Sequence, residues 1–506
     1  NTGNITSITG FSGGIAGNLG NVSPGTAVVQ LYNVGNVTTS SGTTAWLFGS
    51  HSGFSGACYY DSTKSGTQLV GGGPGIGCTD VSADITNITN YNTPAIDPAF
   101  VDDPNGGSPV LANWNTLETL GASYLGSPID PFQLSTTTQW NAISDNGFLM
   151  DKAYKLANDL DFLNGGVSFT PIGSSTNPFI GQFLGNNNTI RNVTLSETSA
   201  TEQIGVFREI GSGARFDSEV NGAPATLTLE NINFTSDFSG GGSAGGIFAS
   251  EVTDSVGAGN DILIRDIIIS GGSLDSPADE NGSLIGKLSL TNNQTEIRHI
   301  TSSATILDCF ASAGGIIGAI YDTGITLKSN IEHLFFNGTF DNGGCSTASY
   351  VGGVVGSANS PDIMIKNSIN TANVYGVNAG GIISNGTVEL FAVANKGNVI
   401  GSTNAGGIMA NVNSGATTIT ATYNTGSVSG GIVGGILGVA SFATTIDNSY
   451  TAPLSISAST TDYFSGINTN ATYTNNLYFR FGNETVADGT IAERDIGNLY
   501  DVFITS

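Results

Sequence analysis

Residues 370–438 read NTANVYGVNAGGIISNGTVELFAVANKGNVIGSTNAGGIMANVNSGATTITATYNTGSVSGGIVGGILG. Two short boxes recur in this stretch at one phase. Asn370-x-Ala372-x-Val374, Asn395-x-Gly397-x-Val399 and Asn424-x-Gly426-x-Val428 each stand 10 or 11 residues ahead of a Gly-Gly-aliphatic triplet. Those triplets are Gly380-Gly381-Ile382, Gly406-Gly407-Ile408 and Gly434-Gly435-Ile436. Toward the N-terminus the triplet returns at Gly352-Gly353-Val354 and Gly314-Gly315-Ile316, so the five spacings run 38, 28, 26 and 28 residues. Looser forms occur at Gly282-Ser283-Leu284, Gly245-Gly246-Ile247 and Ile204-Gly205-Val206.

A unit of this length, made of short Val/Ile/Thr runs broken by Gly, Asn and Ser, reads as strands and turns without a helix. One such unit cannot bury an apolar face alone and must stack on its neighbours. Stacked parallel strands about 4.8 Å apart make a β-solenoid. Variable spacing fits a right-handed parallel β-helix, whose turns accept insertions. Propellers and sandwiches want longer repeats or fixed strand counts. Gly then serves tight corners and close backbone approach, and Asn serves turns and side-chain ladders along the stack.

Composition agrees. Of 506 residues, 72 are Gly and only 11% are charged, with 14 Lys+Arg against 40 Asp+Glu and a formal charge of −26. So acidic a chain has no electrostatic footprint for nucleic acid or anionic lipid. No apolar run reaches the roughly 18 residues of a membrane helix, so no membrane insertion is expected within this segment. A hydrophobic content of 39% argues against disorder.

Ahead of the repeats, residues 131–144 carry the clearest helix signal. Trp140, Ile143 and Phe148 form an apolar face behind a Ser/Thr cap, between runs that read as strands. The order strand, helix, strand, turn, strand reads as the N-terminal cap of a solenoid beginning near residue 128. The run PFQLSTTTQWNAIS … YKLANDLDF … FTPIGSSTNPFIGQFLGNNNTIRNVTL, followed by Gly-Gly-Ile-x-Gly boxes, resembles the GLUG-motif repeat proteins. The resemblance covers most of residues 128–480, although residues 206–300 diverge. It implies β-helix scaffolding in a secreted, surface-associated, adhesin-like protein, hence an extracellular or cell-surface location.

The first residues repeat the last coils. Asn1-Thr2-Gly3-Asn4-Ile5 … Gly13-Gly14-Ile15 lies over Asn424-Thr425-Gly426-Ser427-Val428 … Gly434-Gly435-Ile436. The expected layout is therefore the C-terminal coils of a first solenoid over 1–96 and a Pro/Asp/Asn/Gly-rich linker over 97–127. A cap with a short helix and first coils follows over 128–200, then solenoid repeats over 201–486 and a C-terminal strand segment over 487–506. A chain that begins in mid-repeat is expected to be a piece of a larger polypeptide or of a tandem array.

The chemistry is sparse. Cys309 and Cys345 stand 36 apart, about one coil, which puts them on adjacent coils within disulfide reach; Cys58 and Cys78 bracket a Gly-rich loop and form a second candidate pair. Their spacings make no zinc motif, and only His51, His299 and His333 are present. Thirteen Asn-x-Ser/Thr sequons occur, among them Asn187, Asn192, Asn233, Asn337 and Asn385, about the number chance supplies in so Asn/Ser/Thr-rich a chain. Asp-rich turns at Asp159/Asp161, Asp254, Asp261 and Asp275/Asp279 offer hard oxygen ligands for Ca²⁺, though no EF-hand or nonapeptide repeat is present, and no other cofactor is expected.

Polysaccharide lyases, hydrolases and epimerases share this architecture, so a glycan-active enzyme is the competing class. Such chemistry needs paired carboxylates, or a base with cations. The Lys and Arg read as single, scattered residues that form no regular ladder with acids. Arg208, Arg215, Asp217 and Glu219 are the nearest thing to a charged cluster, and Asp102-Asp103 reads as a turn. No catalytic residue is assigned. Tyr and Phe read as core stacks. The expected role is a non-enzymatic structural or adhesive stalk, partnered by itself through end-to-end stacking or by a surface glycan or protein.

Overall fold

The structure is a computed structural model. It describes most of residues 126–478, with breaks at 144–148, 164–167, 198–202, 221–222, 237–243, 255–260, 292–294, 323–328 and a few positions after 453; outside that span it describes the backbone of short strands. The chain divides into two compact units, Asn1–Glu118 and Thr119–Ser506.

In the first unit the strands pair in parallel: Ile5–Ser7 with Val37–Thr39, Phe11–Gly13 with Thr43–Phe48, and Leu31–Asn33 with Cys58–Tyr60. Cys58–Tyr60 pairs in turn with Cys78–Asp80, which sets Cys58 opposite Cys78.

The second unit is a parallel β-helix. Every long ladder in it is parallel, and each strand pairs with its counterpart one coil away. One inward column runs from Phe132 through Tyr154, Phe183 and Phe216 to Ile264, Ile297, Ile331 and Ile365, then Leu390, Ile419, Ile446 and Tyr473. An eight-stranded sheet runs beside it, from Ala244–Gly246 to Ile456–Asp462, and a five-stranded sheet from Thr194–Glu197 to Thr339–Phe340.

The cap closes the first coil. Phe132–Leu134 pairs with Ala153–Leu156, and between them lies the helix Thr137–Ile143. The Thr136 hydroxyl accepts from the Gln139 N–H, the bond an N-cap makes. Trp140 is fully buried, donates from Nε1 to the Thr170 carbonyl and meets the rings of Phe169, Phe183 and Phe207. Phe148 lies outside the described residues. A short helix, Asn342–Cys345, fills one longer coil, and Cys345 forms a disulfide with Cys309 one coil earlier, at a Cα separation of 4.6 Å.

The two sequence boxes meet in space. A Cβ on Gly406 would overlap the Met409 carbonyl, because the chain doubles back there into a sharp crease. A Cβ on Gly407 would overlap the Asn424 amide, which fills the coil beneath it. The Asn residues form an internal ladder. Asn370 Nδ2 donates to Asn395 Oδ1 at 2.9 Å, and Asn395 Nδ2 to Asn424 Oδ1 at 2.8 Å. Each amide also bonds the backbone two residues on, so donors and acceptors are satisfied without water.

Candidate functional site

The crease at each Gly box is concave toward the outside. The residue two positions before the box and the residue seven positions further on flank it, so one polar seam follows the stack. Over the C-terminal coils the seam is amide: Asn404 donates to both Asn378 and Asn411. In the middle it is hydroxyl, with Ser312 Oγ 3.0 Å from Ser357 Oγ. In the three divergent coils it is charged.

Glu209, Glu251 and Lys287 stand opposite one another on successive strands. Lys287 Nζ lies 2.9 Å from Glu251 Oε1, and Gln203 donates to Glu251 Oε2 at 2.7 Å. Glu280, on the other flank, accepts from the Tyr321 hydroxyl at 2.6 Å through Oε1, while its buried Oε2 has no hydrogen-bond partner. Glu209 is 9% exposed and Glu280 6%. Burial, reinforced by the Glu251 charge and opposed by Lys287, pushes the Glu209 carboxyl up to about 7. Burial also raises Glu280, against the lowering effect of its Tyr321 hydrogen bond. Burial and the Glu280 contact hold the Tyr321 phenol above its ordinary value. A protonated carboxyl, an ionised carboxylate and an ammonium thus share one seam, the ingredients of general acid–base work.

A second charged column corrects the reading of scattered cations. Arg265, Arg298, Glu332 and Lys366 occupy one register position on four successive coils, and Lys366 lies 3.1 Å from Glu332. Coil lengths vary, so no fixed sequence period reveals either column.

The sequence-derived candidates separate. Arg208 pairs with Glu197 at 2.8 Å, whereas Asp217 takes both Arg215 and Arg265; the Glu219 side chain and Asp102-Asp103 lie outside the described residues. Asp159 and Asp161 are engaged by Arg191. Hydrogen bonding by Asn192, then Leu163 N–H and Arg191, lowers Asp161 despite an opposing desolvation effect. Asp254 is fully buried and accepts from Ser212 and Thr291. Among the described residues no three His, Cys, Asp or Glu converge as metal ligands. Of the sequons, Asn187 and Asn337 are exposed and Asn192 and Asn233 half-buried. Asn385 is 4% exposed inside the crease, where the folded coil cannot present it for glycosylation. The phenylalanines pack inside, Phe207 touching the rings of Phe179, Phe183, Phe216 and Phe248.

Sequence reasoning missed Glu209, Glu251, Glu280 and Lys287 as a group. The signal was the looser boxes themselves: counting on from Gly205, Gly246 and Gly282 reaches Glu209, Glu251 and Lys287.

No helix among the described residues is long and apolar enough to cross a membrane. No protein-family model matches the chain, and no solved structure matches it. It is similar to Halomucin of Haloquadratum walsbyi, at 30% identity over 123 residues, which make up 22% of this chain and 1% of that protein. The chain therefore spans about one hundredth of the length of that relative.

Proposed function

We propose that this chain is a structural segment of a large extracellular surface protein, a stiff stack of coils that extends or spaces other parts. The observation that carries the reading is the unbroken inward column from Phe132 to Tyr473, twelve coils deep and about 50 Å long at the usual strand spacing. Ladders of Asn and Phe lock successive coils, and acidity keeps the surface solvated. The partial likeness to Halomucin and the resemblance to GLUG repeats support a surface role. Small-angle scattering of the purified chain, with limited proteolysis, tests it. A rigid segment near 50 Å that resists protease is the expected result; rapid cleavage within 350–450 would sink the idea.

The charged seam favours a second reading, a glycan-active site in which Glu209 donates a proton and Glu251 acts as the carboxylate. Incubation with neutral and acidic polysaccharides, read by reducing-end release, decides it. Turnover abolished by both Glu209→Gln and Glu251→Gln supports this reading, and no release from any polysaccharide removes it.

A further inference from the structure

Each coil turns one corner on a residue in the left-handed region. Asp266, His299, His333 and Asn367 hold it on successive coils at φ of 51–59°. Ala392 and Ala421 serve the same corner further along, so the backbone does not demand a histidine there. Two of the three histidines in the chain nevertheless fall on this column, on adjacent coils and in register.

Their rings sit 5.0 Å apart between centroids with a 49° tilt. Nδ1 of His299 lies 3.1 Å from Asp266 Oδ1, and Nδ1 of His333 lies 3.7 Å from Glu332 Oε2. A carboxylate at Nδ1 fixes the tautomer and leaves the Nε2 lone pair free, the arrangement that supports metal-bound imidazole. About half of each side chain is exposed, and neither Nε2 has a hydrogen-bond partner among the described residues. Two imidazoles sharing an ion at about 2.0–2.1 Å per bond, in cis or tetrahedral positions, have ring centres roughly 4.5–5 Å apart. The neighbouring cations do not forbid this, since Arg265 is held by Asp217 and Asp266, Arg298 by Glu296 and Lys366 by Glu332.

We propose that His299 and His333 form a two-imidazole site for a divalent transition-metal ion of the Zn²⁺, Ni²⁺ and Cu²⁺ class, with water completing the coordination. Asp266 and Glu332 act as positioning residues behind the ligands.

The test is titration of the untagged chain with Ni²⁺ by calorimetry. One saturable equivalent is expected. His299→Asn and His333→Asn keep a side chain suited to the corner and should each weaken binding by tenfold or more, while Asp266→Asn should weaken it by about tenfold. Circular dichroism checks that each variant keeps its strand signal. Electron paramagnetic resonance of the Cu²⁺ form should show two nitrogen ligands, falling to one in either histidine variant. Absence of saturable Ni²⁺ uptake overturns the proposal. So does uptake that survives both histidine variants, or that is lost instead in His51→Asn.

Discussion

The coils before residue 345 and those after residue 350 build the same cross-section in different ways. The earlier coils are long, 32–38 residues between register partners from Ala244 to Tyr350, and are filled with rings. Phe207–Phe216 and Phe216–Phe248 centroids are both 4.9 Å apart. The later coils are 26–28 residues and are filled with Asn and backbone. One inward column shows the exchange: Ser302, Phe336, Asn370, Asn395, Asn424, Thr451. Ring packing has no fixed direction, so it tolerates coils of unequal length. An amide ladder needs each donor within about 3 Å of the next acceptor, so it exists only where successive coils are nearly identical. Charged chemistry has collected on the irregular coils, which are free to vary.

The largest test of this contrast is Gly407→Val. Its side chain would meet the Gly435 carbonyl and Asn424 together, and the crease has no room to relax. We expect a loss of at least about 4 kcal/mol, confined to the later coils. Hydrogen exchange should lose protection over 374–451 and keep it over 260–340. Uniform loss along the stack would show that the two regions are one cooperative unit. At the matching position of an earlier coil the chain already carries Ser283.

Phe207→Ala should cost about 3–5 kcal/mol in the early coils, read by denaturant unfolding. Asn395→Ala removes a link from the amide ladder and orphans the Gly397 N–H. It should cost about 1–3 kcal/mol, and a neutral effect would mean that the ladder is ornament to the Gly packing.

The smallest effect is on pH. Glu209 titrates near 7 when folded against an ordinary value of 4.5. The folded chain therefore binds more protons than the unfolded chain between those values. Its contribution is present in full below about 4.5 and is lost as pH rises through 7. Thermal melts should fall from pH 5 to pH 8 in the wild type, and Glu209→Gln should flatten that fall. An unchanged slope would place the titration elsewhere.

The later coils were legible because their boxes keep step: Asn395 and Gly406 stand in the same phase as Asn424 and Gly434. The helix over Trp140 was legible from its cap and apolar spacing. The seam of Glu209, Glu251 and Lys287 was not, since 42 residues separate the first pair and 36 the second. Insertions at the turns of the irregular coils hide a register that only strand pairing restores. The same holds for Arg298 and Glu332, and for the two stacked histidines.

The sequence by itself determined that this chain is a parallel stack of coils, because phase-locked Gly and Asn boxes on short strands have no other way to bury their apolar faces. Only the tertiary structure decided which side chains are neighbours, because in a solenoid contact follows coil register and not distance along the chain. That register put a protonated carboxyl beside a carboxylate and an ammonium, and one histidine over another.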